Sequence, residues 1–171
     1  VMGHMLIVAI FGYFCARQLK ASDKRLVNDY LCGLFHDLPE VLTRDIISPV
    51  KRSIDALDEK IKKIEAMYVQ EKIFPLVPNS WHEEIKYFIE NEFETRVIVD
   101  GKREYLDEFK LDEKFDKEEY TPIDGRLLKC CDNLAALIEA VLSYKHGVFS
   151  NALLSGVKKI HENISSRKGY E

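Results

Sequence analysis

The chain has no surplus of basic residues. Its 25 Lys and Arg stand against 29 Asp and Glu, for a net charge of −4. A protein built to grip duplex nucleic acid needs a basic footprint, so that class of function is argued against. A small anionic ligand is not, because a few local cations can hold it. The chain also lacks any CxxC pair. Its cysteines are Cys15, Cys32, Cys130 and Cys131, and neighbours on a helix point about 100° apart. They read as small apolar residues in a reducing compartment, which makes a cytoplasmic location the expectation. No apolar run is long enough to cross a membrane. The stretch Met5 to Phe14 falls well short of the roughly 20 residues a spanning helix needs. With no basic segment before it and no small-residue cleavage site after it, a signal peptide is not expected. The first residues, Val1-Met2-Gly3, fit a chain that starts inside a longer gene product. No internal repeat, low-complexity tract or linker divides the sequence. What remains is 171 residues, 46% hydrophobic and 32% charged, enough for one domain over 1–171 with a real core.

Nearly every strong pattern is helical. Residues 2–19 predict an apolar, centrally buried helix. Ser22 and Asp23 can cap the next, whose apolar positions Leu26, Val27, Tyr30, Leu31, Leu34 and Phe35 recur at helical spacing. Pro39 disfavours helical geometry at Leu38, so a break is expected there. A short helical turn and a loop follow to about residue 52, then a Lys- and Glu-rich helix from Ser53 to Gln70. The stretch from Phe74 to Pro78 reads as a stiff connector. Ser80-Trp81-His82-Glu83 has the capping-box pattern and should open a helix to about Glu94. Arg96 to Val99 with Asp100-Gly101 suggests an extended piece and a turn. The charged run from Lys102 to Glu119 reads as a solvated surface insert. Thr121-Pro122 is a helix start by its cap and N1 residues, with the helix running to Lys145 and stopping at Gly147. A last helix covers about 150–165. The fold class is all-α, six or seven packed helices.

Four residues stand out chemically. His4 lies near the start of the first helix, and His36-Asp37 at the end of the second. Asp132 sits among Leu128, Cys131, Ala135 and Ala136, where an acid needs a reason to be. Two imidazoles and two carboxylates are a sufficient donor set for one divalent cation, and a cation offsets the cost of desolvating the acids. Glu40 follows Asp37 by three residues, a spacing that puts it beside the same site on a helical turn.

The order His, His-Asp, Asp resembles the HD-domain metal-dependent phosphohydrolases, an HD-domain-like bundle of packed helices. The block His36-Asp37-Leu38-Pro39-Glu40-Val41-Leu42-Thr43-Arg44-Asp45-Ile46, followed by Ser48-Pro49-Val50-Lys51, is similar to the HDxxEVxTGD…PVK signature of the 5′-deoxynucleotidase branch. Leu128 to Ala136 is similar to that branch's last metal aspartate on its helix. Arg44 departs from the pattern, standing where the branch has glycine. The branch's arginine-tryptophan element has no counterpart before His4.

The resemblance implies one divalent metal ion (Co, Mn, Mg, Zn, Ni or Fe) on His4, His36, Asp37 and Asp132. Members with two metals use further histidines between HD and the last Asp, where this chain has only His82. His82, His146 and His161 are expected outside the ligand set. Glu40 would be the general base, and Asp45 and Thr43 would hydrogen-bond the substrate or the leaving oxygen. From their own charge and spacing, Arg44 and Lys51 are candidates to neutralise phosphate, and Lys129, three residues before Asp132, is a candidate to pair with it. Glu92 and Glu94 are looser candidates. The expected activity is a phosphomonoesterase on (deoxy)nucleoside 5′-monophosphates. The alternatives are a pyrophosphate or phosphodiester hydrolase of signalling nucleotides, and a non-catalytic ligand-binding domain. The partner is a small nucleotide, with neither nucleic acid duplex nor membrane, and a homodimer fits the family.

Overall fold

A computed structural model describes residues 2–43, 57–107 and 110–166. Arg44, Asp45, Ser48, Pro49 and Lys51 therefore lie outside the described residues. The helices are α1 (Met2–Gln18), α2 (Asp23–Phe35), the single turn α3 (Glu40–Thr43), α4 (Leu57–Tyr68), α5 (His82–Ile89), α6 (Gly125–Lys145) and α7 (Asn151–Ser166). A small antiparallel hairpin, β1 (Arg96–Val99) and β2 (Lys102–Tyr105), interrupts them. The architecture is a helical bundle, as the periodicity predicts. Among the described residues no helix is long and apolar enough to cross a membrane.

The first two helices set the site. Ser22 caps α2, its hydroxyl accepting from the Arg25 amide at 3.3 Å. The backbones of α1 and α2 approach closely because Gly33 faces Ala9: a Cβ on Gly33 would lie 2.9 Å from the Ala9 Cα. That contact brings the end of α2, which carries His36, against the first turns of α1, which carry His4. Val8 of α1 packs with Cys131 and Ala135 of α6. A second cluster joins Cys32 of α2 to Tyr87 and Phe88 of α5, with Ile123 and Leu128.

α1 is not buried all round, as its composition suggests. Met5, Val8, Ala9, Gly12 and Ala16 face the core, while Met2, Leu6, Ile10 and Phe14 form an exposed stripe at helical spacing. Two neighbouring helices cover one side of a helix that is apolar on both.

Three boundaries differ from expectation. Ser80 does not cap α5; a turn of 3-10 helix, Asn79–Trp81, precedes it and Trp81 makes no side-chain cap bond. α5 ends at Ile89, because Asn91 takes a left-handed φ of 50°. α6 starts at Gly125 and not at Pro122. Ile123 pairs with Arg96 as an isolated bridge, so Asp124 becomes the cap and accepts from the Leu127 amide at 3.0 Å. Gly125 is needed at that start, since a Cβ there would stand 2.4 Å from the Phe93 carbonyl carbon.

The charged insert is also less solvated than it reads. Leu111 is buried, and Asp116 accepts from the Ser22 amide and the Arg25 guanidinium, both at 3.0 Å. Arg25 is buried with Asp29 at 3.5 Å and Asp124 at 2.6 Å. A buried guanidinium survives only with such partners. Three acids from α2, the insert and the α6 cap surround this one and tie those segments together.

Candidate metal centre

α1, α2 and α6 bring His4, His36 and Asp132 to one point, with one donor atom from each lying within 4.8 Å of the others. His4 Nε2 is 2.9 Å from Asp132 Oδ1, and His36 Nε2 is 3.8 Å from the same oxygen. Asp37, expected as a fourth ligand, lies beside the cluster and not within it: its Oδ2 is 3.2 Å from His36 Nε2, but the converging donors are those of His4, His36 and Asp132. The two imidazole rings are 5.7 Å apart, centre to centre.

Hydrogen bonds fix which nitrogens are offered. His36 Nδ1 is 2.8 Å from the Gly33 carbonyl. A carbonyl only accepts, so Nδ1 carries the proton and Nε2 keeps its lone pair in the neutral ring. That Nε2 is buried without a hydrogen-bond partner. Its 3.2 Å approach to Asp37 is a close contact without hydrogen-bond alignment. A lone pair facing two carboxylate oxygens demands a positive charge between them, supplied by a proton or a metal ion. The orphaned nitrogen and the mixed imidazole and carboxylate donors therefore fit a divalent cation.

His4 is held similarly. With Nε2 toward Asp132, its Nδ1 lies 3.3 Å from Glu139 Oε1. A carboxylate behind a ligating histidine orients the ring and raises its basicity. Glu139 was not legible as part of the site. Its only signal is a position two turns beyond Asp132 on the same helix, which composition does not distinguish from a solvated glutamate. Lys129 donates to Asp132 Oδ2 at 2.8 Å and lies 4.1 Å from the centre of the Phe93 ring. Phe93 also packs 5.7 Å from the His36 ring, sheltering the site on one side.

Beside this cluster opens a cavity of about 470 Å³. His36, Asp37 and Glu40 form one wall; Lys62, Glu65 and Gln70 come from α4 and its π-helical extension; Lys86, Glu90, Asn91 and Glu92 close the other side. Thr43 does not line it. Its hydroxyl donates to Glu65 Oε1 at 2.9 Å, tying α3 to α4. Glu92 is in the wall, whereas the Glu94 carbonyl accepts from Arg96. His82 stacks on Phe74 at 4.2 Å and bonds its carbonyl at 3.0 Å, and His146 and His161 are exposed.

The protons follow the same geometry. For His4, the hydrogen bond to Asp132 outweighs burial and raises the pKa above 6.5. For His36, burial pulls it down, but Asp37 and the Gly33 carbonyl together leave it raised. Burial opposes ionisation of Asp132, yet His4 and Lys129 bring its pKa down from 3.8 to about 2.

The signs set a window. The raised imidazoles stabilise the metal-free fold below pH 6.5 and lose that contribution as pH rises through their folded pKa values. The lowered carboxyl contributes above pH 3.8 and loses its contribution as pH falls toward 2. A metal needs both imidazoles neutral, so its stabilisation grows as the protons leave. Metal-free protein is expected to melt at a lower temperature at pH 8 than at pH 6, and the rise in Tm on adding Mn²⁺ to be larger at pH 8. Melting curves at the two pH values check this; a metal-induced rise that shrinks toward pH 8 contradicts it.

Residues 1–161 match the HD domain family. The chain belongs to that family. It is 39% identical over 54 residues to a 5′-deoxynucleotidase of Photobacterium profundum, a match covering 32% of this chain and 27% of that protein. It is 33% identical over 72 residues to a dATP triphosphohydrolase of Acinetobacter phage SH-Ab 15497, covering 38% of this chain and 36% of the phage protein. The chain thus spans about a quarter to a third of the length of these curated relatives. No solved structure matches.

Proposed function

We propose that this protein is a metal-dependent phosphohydrolase that releases phosphate from (deoxy)nucleoside 5′-monophosphates. The observation that carries the reading is the cavity whose wall is His36-Asp37-Glu40. A space of about 470 Å³ that shares His36 with the His4–His36–Asp132 cluster supports a nucleotide as the ligand. The balance of charge in that space favours one phosphate over three. Asp37, Glu40, Glu65, Glu90 and Glu92 line it against Lys62 and Lys86, and a triphosphate would bring its extra charge against this acidic wall.

His4, His36, Asp37 and Asp132 would hold the ion. When bound it supplies Lewis acidity toward a phosphoryl oxygen and makes water a better acid. Glu139 and the Gly33 carbonyl hold the two imidazoles in their ligating orientation. Glu40 takes the proton of the attacking water as general base. Lys62 and Lys86 bring positive charge to the phosphate, with Arg44 and Lys51 as further candidates. Asp45 would hydrogen-bond the substrate or the leaving oxygen, and Thr43 positions α3 through Glu65. The reaction cleaves the P–O bond to the alcohol; water supplies the new P–O bond and the alcohol leaves protonated.

Purified protein with Mn²⁺ or Co²⁺ is expected to release inorganic phosphate from a panel of deoxynucleoside monophosphates. The same panel run with dATP and guanosine tetraphosphate separates the alternatives by product. Triphosphate or pyrophosphate release without monophosphate hydrolysis would overturn the proposal.

A further inference from the structure

The β-hairpin is absent from the motifs that define the site, yet it touches the cavity wall at two points. Val99-Asp100-Gly101-Lys102 makes its turn, with φ of 49° at Asp100 and 73° at Gly101, both positive as a type I′ turn requires. Arg103 and Tyr105 alternate onto one face of β2. Arg103 donates to Glu90 Oε2 at 3.0 Å, and Asn91 Nδ2 donates to the Tyr105 hydroxyl at 2.8 Å. Glu90 and Asn91 both line the cavity.

The segment they belong to is not a relaxed helix end. Asn91 holds a left-handed backbone at φ 50°, which Asn tolerates better than most residues. From β1, the fully buried Arg96 donates to the carbonyls of Tyr87, Asn91 and Glu94 at 2.6, 3.0 and 2.8 Å. The hairpin thus holds the Asn91 carbonyl and the side chains of residues 90 and 91.

We propose that the hairpin is a specificity element. Through Arg103–Glu90 and Tyr105–Asn91 it fixes the wall that reads the nucleoside half of the substrate, beyond the phosphate. This rests on the nucleotidase reading above. With one N–H of Nδ2 given to Tyr105, Asn91 keeps its carbonyl oxygen and its second N–H for a ligand. Glu90, with one oxygen on Arg103, keeps the other. The amide of Asn91 and the free oxygen of Glu90 suit the mixed N–H, O–H and carbonyl groups of a nucleoside, and the Glu90 carboxylate repels further phosphates. Arg103 and Tyr105 are positioning residues; they act through the wall and not on the phosphate.

The test measures kcat and KM with Mn²⁺ for the best deoxynucleoside monophosphate and for p-nitrophenyl phosphate, which has no nucleoside. Wild type is compared with Tyr105→Phe, Arg103→Gln and Arg103→Lys. Tyr105 is 49% exposed, so its loss of one hydroxyl leaves the fold intact. Tyr105→Phe and Arg103→Gln are expected to raise KM for the nucleotide about fivefold, the worth of one hydrogen bond, with kcat nearly unchanged. Arg103→Lys is expected to restore most of the loss, and p-nitrophenyl phosphate to be hydrolysed alike by all. A wild type active on nucleotides with unchanged KM in both variants overturns the hairpin's role alone. Equal losses on both substrates do so as well, because they mark a merely structural effect. A wild type inactive on every nucleotide overturns the nucleotidase reading, and this inference falls with it.

Discussion

Asp132→Ala is expected to lower kcat/KM by about 10³-fold or more, the several kcal/mol that a bound metal contributes to a phosphoryl transition state. One oxygen of Asp132 lies 2.9 Å from His4 and 3.8 Å from His36, and the other takes Lys129 at 2.8 Å. Its carboxylate is the point at which α1, α2 and α6 share charge. Without it, two imidazoles face each other with Asp37 as the remaining acid, and ion affinity drops sharply. The fold should survive, because Lys129 is 40% exposed and can turn to solvent. Elemental analysis after dialysis, with steady-state kinetics on the same sample, checks both halves. Asp132→Asn keeps the shape but not the charge and is expected to behave nearly as badly. A variant that keeps both full metal content and activity would remove Asp132 from the site.

Glu40→Gln should separate chemistry from binding. Glu40 opens α3 in the cavity wall with His36 and Asp37, its amide donating to the Asp37 carbonyl at 3.0 Å. It is not needed to complete the donor set. A general base contributes about 10²–10⁴-fold to rate, so kcat is expected to fall by about 10²-fold or more while metal content stays at the wild-type level. KM should change little. Loss of metal together with activity would reassign Glu40 as a ligand, and retention of both would leave it without a role in proton transfer.

Local signals were legible wherever local chemistry decided the structure. Ser22 caps α2, Gly147 with φ 83° ends α6, and Asp100-Gly101 turns the hairpin. The three histidine and aspartate donors that converge were legible from type and order, because ionisable groups in apolar stretches need partners. Two of the misread boundaries share another cause. Thr121-Pro122 carries a good helix-start signal, yet Ile123 is claimed by Arg96 across the chain and the start moves to Asp124. The helix expected to reach Glu94 stops at Ile89, where Asn91 turns left-handed and the same Arg96 holds the carbonyls of Asn91 and Glu94 beyond it. A buried arginine satisfied by backbone oxygens has no signature in a pattern that reads charge as surface. Arg25 escaped for the same reason. Glu139 and the hairpin contacts to Glu90 and Asn91 depend on tertiary placement that spacing alone does not encode.

Two imidazoles, one from each of two packed helices, are proposed to ligate a single ion. Electron spin-echo envelope modulation of the Mn²⁺-loaded protein reads this directly. Nitrogen couplings from two coordinated imidazoles are expected in the wild type, falling to one in His4→Gln. A wild-type spectrum with no imidazole nitrogen on the metal would contradict the account.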